Sequence, residues 1–276
     1  MSSNDIIEVV IINLKKLGGN KLRLIDTHAH LDFDDYNKDR EEVLNRAREI
    51  GVEKIVNIGA DLEGSRRAVK LAEKYDDIYA VVGIHPHEAD TVNEKSLTVI
   101  KDLAASPRVK AIGECGLDFY YDNSPREIQK KAFGKQLELA LELELPVVIH
   151  SRESAAETLG ILDKTADFAQ KLIFHCYAYV PKEIEEIIKR DYYVAFGGLI
   201  TFNSAQPIRD ALKKMPLDRI LLETDAPYLT PSPNRGKRNE PAYLEYIVKK
   251  AAEIKDISVE EMGRITTENA ERIYNF

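Results

Sequence analysis

Eight short apolar runs alternate with eight longer amphipathic stretches between Leu22 and Lys255, and few architectures accommodate that alternation. The runs are Leu22 to Asp26, Lys54 to Ile58, Ile78 to Ile84, Val109 to Gly113, Pro146 to His150, Lys171 to His175, Tyr192 to Gly197 and Arg219 to Thr224. Most lack the polar alternation of a half-exposed strand, and unbroken aliphatic runs mark parallel strands covered on both faces. The stretches between them are Asp39 to Ile50, Leu62 to Tyr75, Asn93 to Ala104, Arg126 to Leu145, Glu153 to Lys164, Lys182 to Arg190, Gln206 to Lys214 and Pro241 to Lys255. They carry apolar residues at three- and four-residue steps, the period of a helix with one buried face. Pro125, Pro181 and Pro241 stand at or near helix starts, where a missing N–H costs nothing, and Gly51 sits just past a helix end. A last helix is expected from Val259 to Ile273. Eight strand and helix alternations without a linker predict an α/β chain closed into a (β/α)8 barrel of the TIM type rather than a doubly wound open sheet. That barrel takes residues 22 to 276 as one domain and leaves residues 1 to 21 as an N-terminal extension, either a short capping helix or an arm.

The chain carries 39 Lys and Arg against 47 Asp and Glu, a net charge of -8. Such a field repels nucleic acid and acidic membranes, so a polyanionic substrate needs a local basic patch or bound cations. Two cysteines far apart, Cys115 and Cys176, suit reduced thiols rather than a disulfide framework. The apolar run Ile6 to Ile12 is broken by Glu8 and is too short for a membrane span, so the expectation is a cytoplasmic protein with no membrane partner.

All six histidines fall at or just after an expected strand's carboxyl end: His28 and His30, His85 and His87, His150, and His175. In a parallel barrel these ends form a single face, which is where active sites of this fold are built. Along Asp26-Thr27-His28-Ala29-His30 the two imidazoles lie two residues apart and point the same way, suited to grip one metal, with Asp26 available to orient a ring. The competing reading is two hydrogen-bonded loop histidines. Glu114 follows an apolar strand directly, where an unpaired carboxylate is costly; it suits a bridge between two metals or a salt bridge at the rim. His150 and His175 each top an apolar run and suit a second metal, although a lone histidine is more often a core residue with a backbone partner. Asp225 ends the eighth strand as a metal ligand and general base, or as a turn cap before Pro227. His85 and His87 flank Pro86 and are assigned to proton transfer or to holding a phosphate rather than to metal, with a polar loop as the bland alternative. Arg152 suits a phosphate clamp; Arg235, Lys237 and Arg238 form a local basic loop that either pins a phosphate backbone or is only a solvated face.

Together these motifs resemble the TatD family of metal-dependent deoxyribonucleases, within the amidohydrolase-like barrels, over about residues 22 to 276. The resemblance rests on Asp26-Thr27-His28-Ala29-His30-Leu31, Gly83-Ile84-His85-Pro86-His87, Gly113-Glu114-Cys115-Gly116-Leu117-Asp118, Pro146 to Arg152, Glu223-Thr224-Asp225-Ala226-Pro227-Tyr228-Leu229 and Arg235 to Asn239. It implies that His28, His30, Glu114, His150, His175 and Asp225 ligate metal, that Glu114 bridges, and that His85 is catalytic. The sequence departs from the family's usual pattern at Cys176-Tyr177-Ala178-Tyr179, and residues 1 to 21 have no family counterpart.

The resulting expectation is phosphodiester hydrolysis with two divalent ions, Mg, Mn or Zn, that clamp the scissile phosphate and activate a water. The resemblance implies 3′ to 5′ exonuclease action on DNA, and a barrel-mouth pocket favours a single-stranded end over a duplex. Hydrolysis of a small amide, ester or lactone, including removal of D-amino acids from tRNA, is the alternative. A catalytically silent scaffold would need a broken ligand set, and every expected ligand type is present.

Overall fold

A computed structural model describes residues 22–165, 171–178 and 181–276. The extension expected for residues 1 to 21 lies outside the described residues. Eight strands run in chain order around one sheet, every neighbouring pair parallel: β1 (Leu24–Ala29), β2 (Val52–Ile58), β3 (Ile78–Val82), β4 (Val109–Asp118), β5 (Val147–Arg152), β6 (Leu172–Phe174), β7 (Tyr193–Phe196) and β8 (Ile220–Leu222). The ring closes beyond the end of β8, where Ala29 bridges Ala226 and His30 N donates to the Ala226 carbonyl at 2.7 Å.

The connecting helices are α1 (Arg40–Ile50), α2 (Leu62–Lys74), α3 (Glu94–Ala104), α4 (Arg126–Glu142), α5 (Ala155–Leu162), α6 (Pro181–Lys189), α7 (Gln206–Lys214) and α8 (Leu244–Lys255), with α9 (Val259–Tyr274) added at the end. Their ends follow local chemistry. The Asp61 side chain accepts from Gly64 N to start α2, Asn93 and Ser96 form a reciprocal cap on α3, and Ser258 accepts from Glu261 N at the head of α9. Gly51 ends α1 with φ +101°, as its position in the sequence predicts.

Strand alternation sorts the core into two layers. Leu24, Ile55, Val82, Ile112, Val147, Leu172, Val194 and Ile220 pack outward beneath the helices. Ile25, Val56, Ile58, Val81, Ala111, Val148, Ile173, Ala195 and Leu221 fill the barrel, together with Ala270, Ile273 and Tyr274 from α9. Ile273 and Tyr274 sit beside Val109, Pro146, Lys171 and Tyr193 at the strand starts, so α9 stoppers the barrel at the end away from the histidines. The Tyr274 hydroxyl reaches in to donate to the Thr27 carbonyl at 3.3 Å. Along each strand the next inward position above that filling is where polar chemistry begins: Val148 leads to His150, Ile173 to His175, Leu221 to Glu223.

The boundaries shift three expectations. His28 and Glu114 lie within β1 and β4 rather than after them, and β5 runs past His150 to Arg152, because these strands continue into the site. His87 lies in a short 3-10 turn, Pro86–Thr91, rather than in the polar loop weighed as its alternative. β4 continues past Gly113 because Gly113 and Gly116 adopt φ +138° and +143°. At Gly116 a Cβ would come within 1.9 Å of the His150 carbonyl oxygen, so the strand that carries Glu114 can lie against β5 only with glycine there.

Candidate metal centre

The strand ends bring all six histidines, Glu114 and Asp225 into one buried or half-buried cluster. Glu114 stands at its middle. Its Oε1 lies 2.6 Å from His175 Nε2 and 2.8 Å from His150 Nδ1, while its Oε2 lies 3.5 Å from His28 Nε2. His28 Nε2 and His30 Nε2 are 3.3 Å apart, and Asp225 Oδ1 lies 3.8 and 3.7 Å from them. One lobe thus contains His28, His30 and Asp225, the other His150 and His175, and the two carboxylate oxygens of Glu114 face different lobes.

Hydrogen-bond directions identify which imidazoles are free to ligate. His30 Nδ1 sits 3.1 Å from the Ile58 carbonyl, which can only accept, so the proton is on Nδ1 and the Nε2 lone pair faces the cluster. His150 Nε2 lies 3.1 Å from Asp118 Oδ2, which leaves Nδ1 facing Glu114. His85 runs the other way: its Nδ1 accepts from His87 N at 3.2 Å, so in the neutral ring Nε2 carries the proton, 3.7 Å from Glu114 Oε1. His85 therefore offers the centre a donor rather than a lone pair, although its distance to Glu114 and His150 would also fit a ligand.

Charge follows the same geometry. Burial alone would raise the Glu114 carboxyl, but His175, His85 and His150 outweigh it and hold the group well below the usual carboxylate range. Burial, reinforced by His150, pushes His85 well below an ordinary imidazole, so it is neutral at neutral pH. Burial opposes protonation of His150 too, yet Asp118 and Glu114 prevail and raise it. His150 Nδ1 lies 2.8 Å from a Glu114 oxygen, so a cation that takes this nitrogen competes with the proton of that hydrogen bond.

Asp26 does not orient an imidazole as expected. Its carboxylate accepts from Thr224 N (2.9 Å), Thr224 Oγ1 (2.5 Å) and His28 N (3.3 Å), and so ties the β1 and β8 ends together beneath the cluster. Burial pushes this carboxyl up to about 7 against the pull of those donors. Asp118, which sequence reasoning passed over, has a double role. Oδ2 holds His150 and, at 3.0 Å, His87 Nε2, while Oδ1 accepts from Tyr120 N and Tyr121 N and shapes the turn that exposes both tyrosines. Its signal was available: it stands four residues beyond Glu114 on an extended strand and hence on the same face.

The basic residues divide. Arg152 is exposed at the end of β5, its guanidinium 4.1 Å from the Tyr120 ring centre and 4.8 Å from that of Tyr121. Arg235 lies exposed over Phe202, 3.6 Å from the ring centre, and Lys237 is exposed beside Asn234. Arg238 is committed elsewhere: it grips both Asp39 oxygens, donates to the Asp35 carbonyl and stacks on Tyr36, so it anchors the basic loop instead of presenting charge from it.

The donor set fits a divalent cation: neutral or displaceable imidazole nitrogens and carboxylates, buried and converging, without thiolate. Cys115 is buried, with Sγ 4.0 Å from the Val148 carbonyl, and burial raises its thiol far above the ordinary range. Residues 25–275 match the family model described as TatD related DNase. The chain is 44% identical over 251 residues to an uncharacterized metal-dependent hydrolase, YabD, of Bacillus subtilis, covering 91% of this chain and 98% of that protein. It is 36% identical over 256 residues to the 3′-5′ ssDNA/RNA exonuclease TatD of Cronobacter sakazakii, covering 91% and 97%. The crystal structure of YJJV, a TatD homologue from Escherichia coli, superposes with a TM-score of 0.88 at 30% identity, covering 93% of this chain and all of that one. Among the described residues no helix is long and apolar enough to cross a membrane. The match of family, barrel and ligand set has one conclusion: the chain belongs to the TatD related DNase family and is a metal-dependent hydrolase.

Proposed function

We propose that this hydrolase removes nucleotides from the 3′ ends of single-stranded DNA with two divalent ions, one in each lobe of the cluster. The observation that carries the reading is Glu114, whose two oxygens face two separate sets of imidazoles at 2.6–3.5 Å. A carboxylate so placed is suited to bridge two cations, which when bound would neutralise phosphate charge and activate water. His28, His30 and Asp225 would hold one, His150 and His175 the other. Asp225, aimed at the first lobe, is assigned to accept the proton of the attacking water. His85, neutral with its Nε2–H directed inward, is assigned to hydrogen-bond the phosphate as charge develops on it.

The mouth of the barrel supports a polynucleotide. Arg152 on Tyr120 and Tyr121, and Arg235 on Phe202, pair a cation with an aromatic face, the combination that grips a phosphate while a base stacks. Tyr120, Tyr121 and Tyr228 are each more than half exposed, which leaves ring surface open for a base to stack on. His87, held by Asp118 and edge-on to Tyr121, stands between that rim and the cluster. These groups contact flanking phosphates and bases, and Lys237 adds exposed charge to the same role. The relative named as a 3′-5′ ssDNA/RNA exonuclease is consistent with this reading.

The test is cleavage of single-stranded DNA labelled at either end, with Mg, Mn or Zn supplied to metal-free protein. Stepwise loss of a 3′ label, with little action on blunt duplex and none by Glu114→Ala, is expected. Undiminished cleavage by that variant overturns the metal assignment. No cleavage of any polynucleotide, with turnover of a small ester or lactone, overturns the substrate.

A further inference from the structure

Glu223 is fully buried, and neither its pairing nor its charge is accounted for by the ligand set above. Its Oε1 accepts from Cys176 N at 2.6 Å, and its Oε2 has no hydrogen-bond partner. The rings of His28 and His175 stack nearly parallel beside it, centroids 4.0 Å apart and planes 13° from each other. Both rings turn Nε2 toward Glu114, so both Nδ1 atoms lie on the far side. Each of those Nδ1 atoms is buried and without a hydrogen-bond partner. His175 Nδ1 is 3.5 Å from Glu223 Oε1, and ring nitrogens of both histidines and a Glu223 oxygen lie within 4.8 Å of one another. Of the four buried side-chain atoms without a partner among the described residues, three are therefore His28 Nδ1, His175 Nδ1 and Glu223 Oε2.

The other two ligand histidines show what is missing. His30 gives its rear N–H to the Ile58 carbonyl and His150 gives its own to Asp118. An imidazole whose rear proton is so held keeps its other lone pair for metal. We infer that Glu223 is a positioning residue shared by two ligands: its carboxylate holds the Nδ1 protons of both His28 and His175 and thereby leaves each Nε2 as the nitrogen that turns to metal. One acceptor group then orients a ligand in each lobe, so the two metal positions are coupled through a residue that touches neither. The inference rests on the ligand assignment proposed above.

Glu223→Gln separates this role from packing. Its size is unchanged, and its amide oxygen can keep both the Cys176 N–H and the His175 contact. Its amide nitrogen then replaces Oε2 and can only donate, which favours the wrong proton position on His28. Metal-free wild type and Glu223→Gln are compared by zinc titration against a chromophoric chelator, and imidazole nitrogen resonances are recorded for both. Metal-free wild type should show a proton on Nδ1 of both His28 and His175, with His175 also sharing an Nε2 proton with Glu114 until zinc displaces it. The variant should bind at least one zinc equivalent about 10–100-fold more weakly, the range seen when a ligand histidine loses its rear partner. Unchanged zinc affinity in a folded variant overturns the inference, as do Nε2–H forms of both rings in wild type, a reading that needs no variant. Wild type that takes up no zinc overturns the ligand assignment instead, while the resonances still report whether Glu223 holds the two protons.

Discussion

Glu114 and His175 approach to 2.6 Å at the centre of the barrel mouth, a spacing that only a charged hydrogen bond or a shared cation makes favourable. Glu114→Gln keeps the shape and removes the charge. Because loss of a residue behind a ligand already costs about 10–100-fold, the central carboxylate should cost at least about 100-fold in metal-supported hydrolysis. Steady-state rates at saturating Mn, with the variant's melting temperature as a control for folding, check this. A loss below tenfold would remove Glu114 from the centre.

Arg152, Arg235 and Lys237 are the basic residues left exposed at the rim. Each that meets a backbone phosphate should, on replacement by alanine, lower the slope of log affinity against log salt by about 0.7, the value for a single strand. Arg238→Ala should leave the phosphate count alone and act through the loop it anchors. Binding of fluorescent oligonucleotide by a metal-free protein over a range of salt reads both effects. A slope unaltered in all three variants refutes the rim.

The Asp39–Arg238 pair gives a pH dependence with a defined sign. The hydrogen bond from Arg238 outweighs partial burial and holds the Asp39 carboxyl below its ordinary value. A depressed carboxyl stabilises the fold fully above its unfolded pKa, near about 4, and loses that contribution as pH falls through the lower folded value. Both side chains are about a third exposed, so solvent screening limits the pair to below about 1 kcal/mol. Asp39→Asn should melt slightly earlier than wild type at pH 7, and the gap should close below about pH 3. A gap that widens in acid contradicts the assignment.

Gly116→Ala should be among the most damaging small changes available. The new methyl would meet the His150 carbonyl at 1.9 Å in a backbone conformation that alanine rarely adopts. Strain and overpacking together predict a loss of about 2–6 kcal/mol. Gly134→Ala, with open space around its Cβ position, is the control and should be nearly neutral or stabilising. Chemical denaturation of both variants decides it.

The barrel was legible because most strand positions are covered on both faces and therefore show as nearly unbroken apolar runs. The helices were legible because each has a single buried face. The ligand types were legible for a related reason: a titratable residue that tops a buried run needs a partner. What escaped depends on contacts between distant residues. Arg238 and Asp39 are 199 positions apart, and no local charge pattern shows that the arginine is already paired. Asp26 finds Thr224 across 198 positions, a bond that only closure of the ring creates. Glu223 was within reach, since Leu221 faces inward and a strand returns to the same face two residues later. It was overlooked because Asp225, the next acid along, accounted for the end of β8 by itself.

The contacts that shut the ring are made by the chemical residues themselves: Asp225 N to the His28 carbonyl, His30 N to that of Ala226, Asp26 to Thr224. The first and last strands therefore cannot part without dismantling the lobe that His28, His30 and Asp225 form. A chain stopped short of β8 would not hold a weakened version of this centre. It would be an unclosed sheet whose remaining histidines have no common point to face, so competence for metal and completion of the barrel are a single event.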